Sequence, residues 1–206
     1  MRAVIVASGP SALDFDPPDD VTVIAVNGAV KQLKGRPDYW FSLDASERNR
    51  DFLNMALGYC VDCHVAGYPW SEYIARRRIN FKVHVWHRIE GPEYGERYLS
   101  PSEFKTPQWW HARLQAVSGI CKTPGSIHTG NSAWGALGLA YHLGYRDVAL
   151  IGVDATEDER IDGGKPGNLS HLPMLFKTAL ADMHVVSCGL LDSIPQMSFG
   201  EWYENR

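Results

Sequence analysis

The sequence has few cysteines, no large excess of either positive or negative charge, and no long apolar runs. Its 206 residues hold four cysteines, too few to suggest a small secreted domain built on disulfides. Twenty basic and 24 acidic residues leave a formal net charge of −4. Because duplex DNA is bound mainly through clustered lysine and arginine, this balance argues against a DNA-binding protein. The basic run at residues 76–78 is typical of a solvated helix end.

Targeting and membrane signals are also absent from the sequence. No apolar segment approaches the roughly 20 residues that a membrane-spanning helix needs. Arg2 leads straight into a short apolar run, without the pattern of a signal peptide. We therefore expect a cytoplasmic protein with no membrane span and with reduced thiols. The length and the 45% hydrophobic content predict one globular domain over residues 1–206.

One short segment invites a metal interpretation. Residues 60–64, Cys-Val-Asp-Cys-His, have the form of a haem-attachment motif, but such attachment requires export from the cytoplasm. Zinc, with His84 and His87 as added ligands, is a second interpretation, although the spacing fits no familiar zinc module. We favour a buried strand containing Cys60 and Cys63, and we assign no metal ligand.

Apolar runs alternate with helical patterns along most of the chain. This alternation predicts an α/β fold, with a mainly parallel sheet, right-handed crossovers and helices on both faces. A turn of helix is expected from Ser11, where Ser11 and Asp14 match a capping box. The predicted strands lie at residues 2–7, 21–26, 39–43, 60–66, 81–86, 148–153 and 184–188, and further helices at 28–33, which is short, and at 46–57, 71–78, 130–143, 173–182 and 198–203.

Two segments interrupt this alternation. Residues 89–126 form an irregular, aromatic-rich insertion that contains four prolines and, at residues 107–114, a possible short helix. Residues 156–171 are polar and glycine-rich, which predicts a mobile loop. Long irregular stretches in a compact domain commonly serve as lids or binding loops. We expect the insertion to cover a ligand.

Small and polar residues follow four of the predicted strands. A Gly-Pro-Ser turn at residues 9–11 follows the first, and Asn27, Asp44 and Asp154 follow the second, third and sixth. A Thr-Gly-Asn-Ser loop at residues 129–132 opens a helix of small residues. Ligands of open parallel sheets bind beyond the carboxyl ends of the strands, and helix N-termini bind anions. The pattern predicts a site for a nucleotide or a nucleotide-sugar.

Two blocks of the sequence resemble a known group of enzymes. The opening Ser-Gly-Pro-Ser-Ala-Leu at residues 8–13 resembles the G-x-G-P-S-L turn of the Campylobacter-type bacterial sialyltransferases and of the MptE-like family. That family includes 6-hydroxymethylpterin pyrophosphokinase and the motility accessory factors. The loop at residues 129–132, the Leu-Ala-Tyr-His-Leu-Gly-Tyr run at 139–145 and Leu-Ile-Gly-Val-Asp at 150–154 resemble their second shared block. The resemblance implies a single Rossmann-like domain.

The resemblance also implies roles for individual residues. His171, shortly before the helix predicted at residue 173, matches the position of the sialyltransferase catalytic base, and an ordinary histidine pKa suits that task. His128 is a rival base. In place of the tyrosines that support the leaving phosphate, Tyr94, Tyr98 and Trp110 are candidates. The residues expected to contact the donor are Ser8, Gly9, Pro10, Ser11, Asn27, Thr129, Gly130, Asn131 and Ser132, and the strand-end carboxylates of Asp44 and Asp154 join them.

Three functions follow from this reading. The first is a glycosyltransferase that binds a nucleotide-activated sugar, CMP-linked by the resemblance, and transfers the sugar to an acceptor hydroxyl. The second is a pyrophosphokinase acting on a small heterocyclic alcohol, in which Asp44 and Asp154 would bind Mg²⁺. The third is a non-catalytic nucleotide-binding protein, in which Ala7 replaces the first glycine of the turn. The sequence leaves the acceptor and the presence of a homo-oligomer open.

Overall fold

The structure is a computed structural model that describes residues 1–34, 36–79, 83–93 and 101–205. Its centre is one open sheet of eight strands, in which every described pair runs parallel and the order is β6-β5-β4-β3-β2-β1-β7-β8. The strands are β1 (Arg2–Val6), β2 (Thr22–Val26), β3 (Tyr39–Ser42), β4 (Asp62–Ala66), β5 (Val83–Ile89), β6 (Ser126–His128), β7 (Asp147–Ile151) and β8 (His184–Ser187). The predicted Rossmann-like α/β arrangement is confirmed.

Helices cover both faces of the sheet. One apolar cluster joins β1, β2 and β3 to the helices after β6 and β7, and a second cluster joins the opposite face of the same strands to the earlier helices and the C-terminal helix. The central strands are buried on both faces, which explains why they read as continuous apolar runs. The helices are α1 (Ala29–Leu33), α2 (Glu47–Gly58), α3 (Tyr68–Arg77), α4 (Pro107–Arg113), α5 (Ser132–His142), α6 (Leu172–Lys177) and α7 (Phe199–Glu204).

The connection through α5 determines where the order of strand addition reverses in the sheet. Strands β1 to β6 add successively toward one edge, and the chain then returns through α5 to place β7 on the other side of β1. Residues leaving β1 and β7 therefore diverge to opposite sides, and this topological switch point is where such sheets bind ligands. The Gly-Pro-Ser turn follows β1, and Gly152 and Asp154 follow β7.

Several local predictions were wrong. The capping box does not form, because Asp14 has a positive φ of 60° and the hydroxyl of Ser11 is used elsewhere; the single turn is a 3₁₀ helix over Pro10–Ala12. Cys60 lies in a turn with φ 61°, so β4 begins two residues later than expected. Helix α3 begins at Tyr68, with proline in its first turn. The short strand β6 was not predicted.

No helix in the described part of the chain is both long enough and apolar enough to cross a lipid bilayer.

Candidate functional site

A cavity of about 560 Å³ opens at the carboxyl edge of the sheet, over the switch point between β1 and β7. Backbone hydrogen bonds join the two strand ends beneath it, from Ala7 N to Ile151 O at 2.8 Å and from Gly9 N to Gly152 O at 2.9 Å. Ten of the predicted site residues line this cavity. They are Gly9, Pro10, Asn27, Asp44, Thr129, Gly130, Asn131, Ser132, Asp154 and His171.

Two of the predicted donor-binding residues lie behind the cavity wall. Ser8 is buried, and its carbonyl accepts a hydrogen bond from Ile161 N. The hydroxyl of Ser11 donates to Asp154 Oδ1 at 2.5 Å and accepts from Gly152 N at 2.9 Å. Neither residue is among those that line the cavity. The Ser8 carbonyl and the Ser11 hydroxyl therefore support the turn through bonds within the protein.

The carboxylate of Asp154 is the centre of this support. Besides the Ser11 hydroxyl, it accepts the backbone N–H groups of Ser11 at 2.8 Å and of Leu190 at 3.1 Å. Three glycines make the close packing possible. A Cβ on Gly9 or Gly189 would lie 2.5 Å from an Asp154 oxygen, and one on Gly152 would lie 2.3 Å from Ala7 O. Asp154 thus fixes the shape of the switch point.

The Thr-Gly-Asn-Ser loop delivers the N-terminus of α5 to the cavity. The side-chain oxygen of Asn131 caps the helix by accepting Trp134 N at 2.8 Å, and Ser132 Oγ accepts Leu43 N at 3.1 Å. A helix leaves its first N–H groups without intrahelical partners, and Ala133 at the first turn also lines the cavity. This end of the cavity suits an anionic group such as a phosphate.

Asn27 offers an unused polar group to the cavity. Its backbone is in the left-handed region at φ 49°, and its carbonyl accepts the indole N–H of Trp40 at 2.9 Å. The side-chain Oδ1 is buried and has no hydrogen-bond partner among the described residues. A buried acceptor without a partner is costly, so a ligand that supplies a donor would be bound favourably here.

His171 is the second unused polar group. It is fully buried at the start of α6, lines the cavity, and has no well-aligned hydrogen bond at either ring nitrogen among the described residues. Burial, followed by the nearby His111, lowers the pKa of His171 to about 4, although the Gly130 backbone beside the ring opposes the shift. The imidazole is therefore neutral at pH 7, which leaves a lone pair to accept a proton.

The buried neutral state of His171 predicts a dependence of stability on pH. Its pKa is about 4 in the folded protein, against an ordinary value of 6.5. The unfolded chain therefore binds more protons between these values, and the free energy of unfolding falls as the pH drops from about 6.5 toward 4. The loss from this residue is at most about 3 kcal/mol. Urea unfolding at pH 7.5, 6 and 5 measures it.

The matched variant is His171→Leu, which removes the titrating group from the same buried position. Its free energy of unfolding is expected to lose less between pH 7.5 and 5 than that of the wild type. Equal acid sensitivity in the two proteins would show that other groups control the pH dependence.

Two arginines of the cavity wall were missed by sequence reasoning. Arg88 at the end of β5 donates through Nε to Thr129 Oγ1 at 3.0 Å and pairs with Glu90 at 2.7 Å. Arg160 has no carboxylate within ion-pair distance in the described ranges, and the nearby Asp162 pairs with Arg48 at 3.3 Å. Burial lowers the pKa of the half-buried Arg160. The position of Arg88 near the end of a strand could have indicated its role, whereas no sequence pattern indicates a role for Arg160.

The aromatic insertion contributes one wall of the cavity. The predicted short helix is present as α4, begins with a Thr106 cap, and brings Trp110 to the lining. Tyr94 and Tyr98 lie outside the described residues. The rival base His128 is held by Gly119 O at 2.8 Å and is not among the lining residues.

The zinc set suggested by the cysteine spacing does not assemble. Cys60 is exposed in a turn before β4, and Cys63 packs in the cluster on the face opposite His64. His87 is an odd number of residues from His84 along β5, so the two side chains leave opposite faces. The two cysteines and the three histidines of this set therefore cannot all meet at one ion.

Comparison with known proteins gives one informative structural match. No protein-family model matches the chain, and no curated protein matches it. A solved structure of the MAf glycosyltransferase from Magnetospirillum magneticum AMB-1 matches with a TM-score of 0.56 at 16% sequence identity. The match covers 96% of this chain and 33% of that protein, so this chain spans about a third of its length. At this identity the match shows a shared fold.

Proposed function

We propose that this chain is a glycosyltransferase that binds a nucleotide-activated sugar in the cavity and transfers the sugar to an acceptor hydroxyl. The observation that carries the proposal is the pair of buried, unpartnered polar groups, Asn27 Oδ1 and the His171 ring, in one cavity at the switch point. The fold shared with a MAf glycosyltransferase supports the same class of reaction. The sequence resemblance favours a CMP-linked sugar as the donor.

In the proposed mechanism the two ends of the cavity have different tasks. Asn27 and the turn at residues 9–11 hold the nucleotide, while the N-terminus of α5 and Arg88, which bonds Thr129 just before that helix, balance the charge of the leaving phosphate. His171 takes the proton from the acceptor hydroxyl as that oxygen attacks the anomeric carbon and the bond to phosphate breaks. The expectation of an ordinary pKa for His171 is not met: burial lowers the pKa to about 4, so the ring is unprotonated before the reaction but is a weaker base than an exposed histidine.

The arrangement of carboxylates weighs against the Mg²⁺-dependent alternative. Both oxygens of Asp154 already accept hydrogen bonds from Ser11, and one also accepts from Leu190. The other predicted metal ligand, Asp44, has no hydrogen bond to its carboxylate among the described residues. Mg²⁺ usually takes one or two carboxylates together with phosphate oxygens and waters. A pyrophosphokinase would have to recruit its metal mainly through Asp44 and the nucleotide.

Thermal stabilisation against a panel of nucleotides tests the proposal. The panel is CMP, CDP, CTP, UDP, GDP, ATP and CMP-sialic acid, each with and without Mg²⁺. Because a ligand at a hundred times its dissociation constant adds about 2.7 kcal/mol of stability, binding is readily detected. We expect stabilisation by a nucleotide-sugar without metal. Stabilisation only by a triphosphate with Mg²⁺ would instead favour the pyrophosphokinase.

The role of Asn27 is tested by Asn27→Gly, since glycine accepts the positive φ at this position. Loss of one ligand hydrogen bond is expected to weaken donor binding about tenfold with little change in stability. Lys34→Gly is the matched control, because Lys34 has φ 50° and lies outside the cavity lining. Calorimetric titration of both variants measures the effect. Equal donor affinity in wild type and Asn27→Gly would remove Asn27 from the donor site.

A further inference from the structure

Three potential metal ligands share one face of the sheet, away from the cavity. His64 on β4 and His84 on β5 are direct neighbours in the parallel register, and Asp62 precedes His64 by two residues on the same strand. Side chains two apart on a strand, and at registered positions of adjacent strands, project from the same face. None of the three lines the candidate donor cavity.

The ligand atoms of these residues are close enough to meet at one ion. Asp62 Oδ1 lies 3.0 Å from His84 Nε2, Asp62 Oδ2 lies 3.8 Å from His64 Nε2, and the three donors fall within 4.8 Å of one another. Ligands about 2.0–2.2 Å from a tetrahedral ion are themselves separated by about 3.3 Å. To close the set, the stacked imidazole rings have to tilt so that both Nε2 atoms point at one ion.

His64 supplies the observation that points to a ligand. The residue is only 4% exposed, and its Nε2 atom is buried without a hydrogen-bond partner among the described residues. That atom is directed toward Asp62 and lies in a ring stacked on His84, with centroids 4.6 Å apart. The side chains of His84 and Asp62 are 58% and 42% exposed, so an ion can enter from solvent and keep a water ligand.

We propose that Asp62, His64 and His84 form a binding site for a first-row divalent transition metal of the Zn²⁺ type. Two imidazoles and one carboxylate are ligands that such ions prefer, whereas Mg²⁺ and Ca²⁺ prefer oxygen. The site would join β4 to β5, a strand whose residues are half-buried or exposed along its whole length. The metal would fasten this outer part of the sheet.

The hydrogen bond between Trp86 and His64 provides a specific test of the metal site. Its indole N–H donates to His64 Nδ1 at 3.0 Å, which places the proton of the neutral ring on Nε2. Coordination through Nε2 moves that proton to Nδ1 and breaks the bond to Trp86. Because one hydrogen bond is lost on binding, Trp86→Phe is expected to tighten metal binding by about tenfold. A variant that improves affinity is difficult to attribute to misfolding.

The test is titration of the full chain with Zn²⁺ at pH 7.5, followed by competition with a chromophoric chelator and by thermal unfolding. We expect one Zn²⁺ per chain, a raised unfolding temperature, tighter binding by Trp86→Phe, and binding weakened at least about tenfold by His84→Gln. His84 is the primary variant because its side chain is exposed and its replacement leaves the buried core unchanged.

Two control variants separate this site from ordinary surface histidines. His87→Gln alters the same strand on its other face, and His184→Gln alters an exposed histidine that pairs with one carboxylate, Asp147, at 2.8 Å. Both should bind Zn²⁺ as the wild type does. Binding that is equal in His84→Gln and wild type, or weaker in Trp86→Phe, would overturn the proposal, as would the absence of any binding.

Discussion

His171→Gln is expected to lower the rate of sugar transfer by about 10²- to 10⁴-fold, the usual contribution of a positioned general base. Donor affinity should change little, because the base acts on the acceptor hydroxyl and not on the nucleotide. The rate falls because His171 lies buried in the cavity wall, is neutral at pH 7, and has no well-aligned hydrogen bond at either ring nitrogen among the described residues. Single-turnover kinetics with saturating donor measure the effect.

His128→Gln is the matched control for this prediction. His128 was the rival base in the sequence, but its Nδ1 is held by Gly119 O at 2.8 Å outside the cavity lining. We expect its transfer rate to stay near that of the wild type. A large loss in His128→Gln together with normal turnover in His171→Gln would reverse the assignment.

The largest loss of stability is expected for Gly152→Ala, about 3 kcal/mol. Gly152 has φ 70°, and a Cβ there would lie 2.3 Å from Ala7 O and 2.8 Å from Ala12 Cβ. The left-handed conformation costs an alanine about 1–2 kcal/mol, and the forced shift of backbone adds a comparable amount. In a domain of this size the unfolding temperature should fall by about 6–12 °C.

Gly163→Ala separates the two causes. Gly163 also has a positive φ, 80°, but a Cβ there would meet nothing within 4 Å. This variant should lose only the conformational part, about 1 kcal/mol. Calorimetric or urea unfolding of the two variants gives the difference. Equal losses would show that the close approach of β1 and β7 at Gly152 is unimportant for stability.

The positions of most strands and the parallel α/β class could be predicted from the sequence because most of the strands are buried on both faces, whereas their order in the sheet was not predicted. Continuous apolar runs at residues 2–6 and 147–151 have the composition of central parallel strands. Strand β6 could not be predicted, because it is three residues long and follows Pro124 and Gly125. Its pairing with β5 depends on contacts that no local pattern contains.

Site residues could be predicted from the sequence where they directly follow the carboxyl end of a strand. Asn27 and Asp44 line the cavity because they follow parallel strands, whose carboxyl ends share one edge. Ser11 was assigned to a local cap, yet its hydroxyl bonds Asp154, 143 residues away along the chain. Arg160 reaches the cavity through a loop without periodicity. Long-range partners of this kind are outside what a local pattern can indicate.

The measurement that tests the central claim most directly is calorimetric titration of the protein with CMP-sialic acid at pH 7.5 in the absence of Mg²⁺. The account predicts binding at one site per chain, competition by CMP, and affinity reduced about tenfold in Asn27→Gly. Absence of binding by any nucleotide or nucleotide-sugar would contradict the account. Binding that is neither displaced by CMP nor weakened by Asn27→Gly would contradict it as well.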